Sequence, residues 1–413
     1  MSVQPGARSI WRGRVVALVG VVTVAFSLRT AVTAISPIID QIRGDIPITD
    51  VGIGLIGMLP PIFFALSGFL GPLVSRRLGL EGAILASVAV MVVGHLLRAS
   101  SGSFALLLAG SAVTLVGVGI CNVMLPPVVK RYFPDRVGLV TAGYATLMSV
   151  STAIPSLLAV PLSDSIGWRF SLAIWAAVAG TALVPWIVLL GRHRRARAVA
   201  ALDASTAVEA PDPALERRLW HSPVAVAITI TFSVSTLNVY ATFAWLPQIL
   251  VDIVGSTPGE AGSLLAVYAI AGLPASIVAP ILVNRLKSPA RVILAGVLFF
   301  AVGYLGLLIA PAPLTVLWVV LIGLGPILFP VCLVLINLRT RSHTGSVALS
   351  GFAQGIGYTV GALGPLLVGV LHDASGGWTL PLSFLFATSF VAIIGAVVLA
   401  RPGLVEDQLA GKR

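Results

Sequence analysis

Apolar runs of about 20 residues or more recur roughly every 30 residues along the whole chain. As a helix rising 1.5 Å per residue, each run is long enough to cross a hydrocarbon layer of about 30 Å. The runs cover approximately 15–42, 51–74, 80–98, 104–129, 137–162, 170–191, 223–251, 260–284, 291–310, 313–338, 346–371 and 379–400. None alternates residue by residue as a barrel strand does. In lipid only helices and closed barrels satisfy every backbone group, so the runs are read as helices. Composition agrees: 57% of the 413 residues are hydrophobic and 10% are charged, where a soluble domain carries about a quarter charged residues. The expected fold is all-α and integral to a membrane, with twelve transmembrane helices.

The net charge of +11 is explained by where the basic residues fall. One side of the membrane collects Arg8, Arg12 and Arg14, then Arg76, Arg77, Lys130, Arg131 and Arg136, the loop from Arg192 to Arg218, Arg285, Lys287, Arg291, Arg339, Arg341, Arg401, Lys412 and Arg413. The other side receives only Arg43, Arg98 and Arg169. By the positive-inside rule both termini are cytoplasmic, and the basicity is a topology signal rather than a nucleic-acid footprint. Cys121 and Cys332 both lie inside predicted spans, which gives a disulfide framework no support. The first apolar run is too long for a signal-peptide core, so it is read as a retained helix. Arg outnumbers Lys, and Ala, Val and Gly abound. That bias fits a GC-rich bacterial source, so a bacterial plasma membrane is the expected location, with the lipid bilayer as partner and a monomer as the default state.

The spans divide into two related sets of six. Residues 1–14 form a cytoplasmic N-terminus, 15–191 a first bundle, 192–222 a polar linker, 223–400 a second bundle and 401–413 a cytoplasmic C-terminus. Gly167-Trp168 lies twelve residues after Pro155, and Gly377-Trp378 twelve after Pro365. Gly117-Val118-Gly119 matches Gly323-Leu324-Gly325, Arg77 matches Arg285, and Leu28-Arg29 matches Leu237-Asn238, all at offsets between 206 and 210. A six-plus-six parallel repeat is a transporter plan in which two halves rock about a substrate held near the midplane. The glycines of the eleventh span are read as small packing residues. Trp168 and Trp378, at span starts, are read as interfacial belt residues.

Arg29 stands out within the spans. It is fifteen residues from Arg14 and fourteen from Arg43, so about 21 Å of helix separates it from either end. A guanidinium there costs at least ~2.5 kcal/mol and should face the bundle interior with a partner. No Asp or Glu lies deep in any span. Two readings stay open: a substrate or gating cation in a central cavity, or a structural Arg bonded to helix carbonyls. Asn122, Tyr144, Asn238, Tyr240, Gln248, Tyr268, Gln354 and Tyr358 are the other polar side chains at cavity depth. Each serves either as a substrate contact or as an interhelical hydrogen bond.

Three blocks carry a family likeness: Leu28-Arg29-Thr30-Ala31-Val32 with Pro37; the stretch from Gly117 to Arg131 with Phe133-Pro134-Asp135-Arg136; and the stretch from Ser350 to Tyr358 with Gly364-Pro365 and His372-Asp373. In these the chain resembles the major facilitator superfamily, and within it the cyanate permease and 2-nitroimidazole transporter group. The resemblance implies a twelve-helix facilitator for a small planar anion or weak acid, with Arg29 near the substrate. Ser27 and Thr30 depart from the Asn and Pro common around this Arg. Ser75 stands where the superfamily usually has a gating Asp, which leaves Arg76, Arg77, Arg136 and Arg285 to be served by another acid such as Asp135.

A membrane-embedded enzyme would need clustered His, Cys or carboxylates within the spans, and none is present. No catalytic residue, metal ligand or cofactor is therefore expected. A channel is disfavoured because the chain carries its own pseudo-symmetric pair rather than one share of a multi-subunit pore. Within transport, the alternative is efflux of a hydrophobic drug or metabolite, with Arg29 structural.

Overall fold

A computed structural model describes residues 14–199, 219–286, 288–341 and 343–410. Most of the expected linker, the first 13 residues and the last three lie outside the described residues. Twelve helices among the described residues are long and apolar enough to cross a membrane. The first six are Val15–Asp45, Asp50–Gly68, Leu73–Ala99, Phe104–Val129, Leu139–Ile166 and Trp168–Gly191. The second six are Pro223–Val254, Pro258–Val283, Ala290–Ile309, Thr315–Leu338, Ala348–Ser375 and Thr379–Leu399. All twelve expected spans are found, most with their limits moved by a few residues. Exposed Val19, Ile187, Ile309 and Val397 show what faces outward; such a surface is stable against lipid and would aggregate in water.

Local chemistry sets the breaks. Pro37, which has no N–H to donate, sits in a 3₁₀ turn over Ser36–Ile38 that divides the first span. Gly79, at φ 73°, kinks the chain within the helical stretch Asp50–Ala99, a conformation that glycine adopts without strain. Thr257 and Glu260 form a reciprocal capping box at the start of the eighth span.

The internal repeat is visible in side-chain geometry. Trp168 donates its indole N–H to Asp45 at 3.0 Å, and Trp378 donates to Asp252 at 2.8 Å. Each bond ties the sixth span of a half to the end of its first span. Trp168 and Trp378 are both only 5% exposed, so they are buried latches and not the lipid-interface belts their positions suggested. Their indole hydrogens are taken by the two aspartates rather than by headgroups.

The halves meet tightly at the end of the molecule opposite the chain termini. A Cβ added at Gly369 would lie 2.7 Å from the Asp50 carbonyl oxygen, one at Gly54 2.9 Å from Leu366 Cα, and one at Gly262 2.7 Å from the Ser156 carbonyl oxygen. One apolar core continues across this seam from Ile38, Ile42 and Trp168 into Trp245, Leu250 and Leu265. Nearer the termini the same helices diverge: Gly68 on the second span and Gly355 on the eleventh have open space where a Cβ would project. The bundle is closed at one end and splayed at the other.

Within the second half, Gly357, Gly361 and Gly364 of the eleventh span pack as small residues, whereas Gly355 does not. Gly361 lies against Thr236 and Gly364 against the Leu237 backbone, and Thr236 donates across the same contact to the Gly357 carbonyl at 2.7 Å.

Candidate functional site

Arg29, on the first span, is half-buried and holds its guanidinium carbon 5.7 Å from the centre of the Phe64 ring on the second span. Around that ring the second half contributes two tyrosines. Tyr240 on the seventh span lies 6.5 Å from Phe64 between ring centres; Tyr358 on the eleventh lies 6.1 Å from Phe64 and 6.4 Å from Tyr240. Phe232 backs Tyr358 edge-to-face at 5.3 Å. Both tyrosines pack into the apolar core of the first half.

No carboxylate pairs with Arg29 among the described residues. Its positive charge rests on the negative face of an aromatic ring. A cation so held, ringed by π-faces and phenolic hydroxyls, can take a planar anion by charge, stacking and hydrogen bonding together.

Of the nine residues expected to bind substrate, the structure gathers Arg29, Tyr240 and Tyr358 into this cage. The other six have surroundings of their own. Gln354 donates to Ser350 on its own helix at 2.6 Å. Asn238 is fully buried and donates to the Val234 carbonyl at 2.9 Å, leaving its Oδ1 without a partner. Gln248 keeps a buried Oε1 that is likewise unpaired. Tyr268 is buried with its ring edge-on to Phe243 at 5.0 Å. Tyr144 packs against the first-half core, and Asn122 is half-buried on the fourth span. Phe64 escaped a search confined to polar side chains; an aromatic one turn from the depth of an unpaired Arg is the signal that finds it.

At the splayed end, Asp135 pairs with Arg14 and lies 4.0 Å from Arg136, while Arg76, Arg77 and Arg285 are exposed. Asp135 therefore turns to the start of the first span and not to Arg76 and Arg77. Hydrogen bonding from its own backbone N–H and from Arg14 holds its carboxyl below the usual carboxylate range. A second acid at this end is Glu81, which is only 2% exposed. It accepts a 2.6 Å hydrogen bond from the Tyr132 hydroxyl and sits 3.2 Å from the Arg131 guanidinium.

At the closed end, Asp50 accepts from Arg43 of its own half and pairs with His372 Nδ1 of the other half at 2.9 Å. Asp50, His372 and Asp373 cluster closely enough to suggest a metal centre, but Arg43 already neutralises Asp50. The position reads as an ion-paired seam.

A solute passing between two pseudo-symmetric six-helix halves, open at one end and cationic at the centre, defines a secondary transporter. The chain belongs to the Major Facilitator Superfamily, whose family model matches residues 21–256 and 228–412. It is 32% identical to the 2-nitroimidazole transporter of Escherichia coli over 90% of this chain and 92% of that one. It is 26% identical to the cyanate transport protein CynX of the same organism, over 89% of this chain and 92% of that one. Its fold superposes on the crystal structure of a D-xylose-proton symporter with a TM-score of 0.71 at 12% identity, covering 96% of this chain and 98% of that one. The protein is thus a multi-pass transporter of the bacterial inner membrane that binds a small molecule within the membrane.

Proposed function

We propose that the transporter moves a small planar anion or weak acid, of cyanate or nitroimidazole type, by alternating access, with Arg29 as the charge that receives it. The observation that carries this reading is a guanidinium without a carboxylate, stacked over Phe64 and ringed by Tyr240 and Tyr358 from the opposite half. Substrate bound there touches both halves at once, so its binding energy acts on their relative orientation. Relatives named for 2-nitroimidazole and for cyanate, planar or linear polar compounds, support the same class. One chain supplies both halves of the cage, so the working unit is a monomer, and no enzymatic step is required of it. With the termini in the cytoplasm, the splayed end faces inward, where Asp135, Arg136, Arg76, Arg77 and Arg285 line the region that must close in the opposite state.

The test is uptake into proteoliposomes of labelled cyanate, nitrate, a nitroimidazole and neutral lipophilic controls. A charge-assisted hydrogen bond contributes about 1.5–3 kcal/mol, so Arg29→Gln should lower kcat/KM for the transported anion roughly 10- to 100-fold. Arg29→Lys should retain part of the activity. Equal transport of neutral lipophiles by wild type and Arg29→Gln would overturn the anion reading in favour of hydrophobic efflux.

A further inference from the structure

Arg98 closes the third span and counts among the three basic residues on the less basic side of the membrane. It is only 2% exposed. One guanidinium nitrogen donates to the Ala31 carbonyl at 3.1 Å, beside the Pro37 break in the first span. Its Nε has no hydrogen-bond partner, and no carboxylate pairs with it among the described residues.

The guanidinium borders a cavity of ≈ 40 Å³ at the seam between the halves. Ser36, Ser111, Tyr240 and Phe243 share its lining, and no Asp or Glu does. Ser36 is 8% exposed and its hydroxyl, too, has no partner. A water needs about 10–15 Å³ measured this way, so the space holds about three waters or one anion of three heavy atoms. A buried guanidinium with its Nε unpartnered and a buried hydroxyl without a partner line a mostly apolar space of that size. Such groups are costly to leave unpaired and are met by an anion.

Tyr240 belongs both to this cavity and to the Arg29 cage. The cavity therefore adjoins the cage on the side of the sealed end. We infer that the Arg98 cavity is a second binding station for a small linear or planar monovalent anion, lying on the path between the sealed end and Arg29. The inference rests on the anion reading proposed for the central cage: a solute arriving from the sealed end meets Arg98 first, passes Tyr240 and is handed to Arg29.

The experiment is equilibrium binding of [14C]thiocyanate, a linear three-atom anion inert toward amines, to the full-length purified protein, read as ions bound per chain. Wild type should bind two, Arg98→Gln one and Arg29→Gln one, while Arg98→Lys should keep two. Ser36→Val fills the cavity with Arg98 left in place and should also bind one; it carries the test if Arg98→Gln fails to elute as a folded monomer. One ion in wild type, unchanged in Arg98→Gln and Ser36→Val and lost in Arg29→Gln, overturns the second station and leaves the central reading standing. One ion lost in Arg98→Gln but kept in Arg29→Gln does the reverse. No binding to wild type overturns both.

Discussion

At the scale of single residues, the chain separates charges that are paired from charges that are left waiting. Glu81 is paired: Tyr132 and Arg131 satisfy it in a buried position, where a lost partner leaves a desolvated carboxylate. Tyr132→Phe should therefore destabilise the protein by about 1–3 kcal/mol, measured as a lower midpoint of thermal unfolding in detergent, with uptake per folded molecule unchanged. Asp135 is exposed, and its carboxyl titrates below the usual range. Whatever stability that adds is present above the unfolded value of about 3.9 and is lost only as pH falls through the folded one. It is no switch near neutrality. Arg29 was legible from counting residues because no side chain reaches water from so deep a position. Arg98 was not, since counting puts it at a helix end and only packing reveals that it turns inward.

At the scale of elements, hydropathy disclosed all twelve spans because lipid leaves the backbone no other arrangement. It could not say which faces meet, and so Phe64 was missed and Trp168 and Trp378 were taken for lipid-facing anchors. The repeat told more than it was asked. Its Gly-Trp pairs marked the latches to Asp45 and Asp252, yet the aspartates themselves went unpaired in the sequence because they sit over 120 residues away. The contact between the second and eleventh spans depends on absent side chains. Gly369→Ala would drive a Cβ to 2.7 Å from the Asp50 carbonyl oxygen and 2.9 Å from the Trp245 ring, and backbone cannot yield as a flexible side chain does. This variant should favour the state open at that end. Spin labels at Gly102 and Ala374, read by electron–electron double resonance, should show a longer distance than in the unsubstituted protein; an unchanged distance would mean that the seam absorbs the methyl group.

At the scale of the whole molecule, the two halves share one apolar core at the closed end and separate toward the other. Transport by rocking requires that seam to part in every cycle. Asp50→Cys with His372→Cys, joined by a short bifunctional thiol reagent, should abolish uptake, and reductive cleavage of the link should restore it. Transport that continues with the link intact would rule out opening at this end. Cys121 and Cys332 are both buried, so the native thiols leave the reading clean. The seam is built from backbone brought close to backbone, with a few fixed ion pairs along its rim, whereas the cage is built from exchangeable side chains. Such a hinge is indifferent to cargo. Replacing a handful of cage residues can retune a carrier of this design to a new solute while the moving parts stay as they are, so kinship among such proteins is a better guide to how they move than to what they carry.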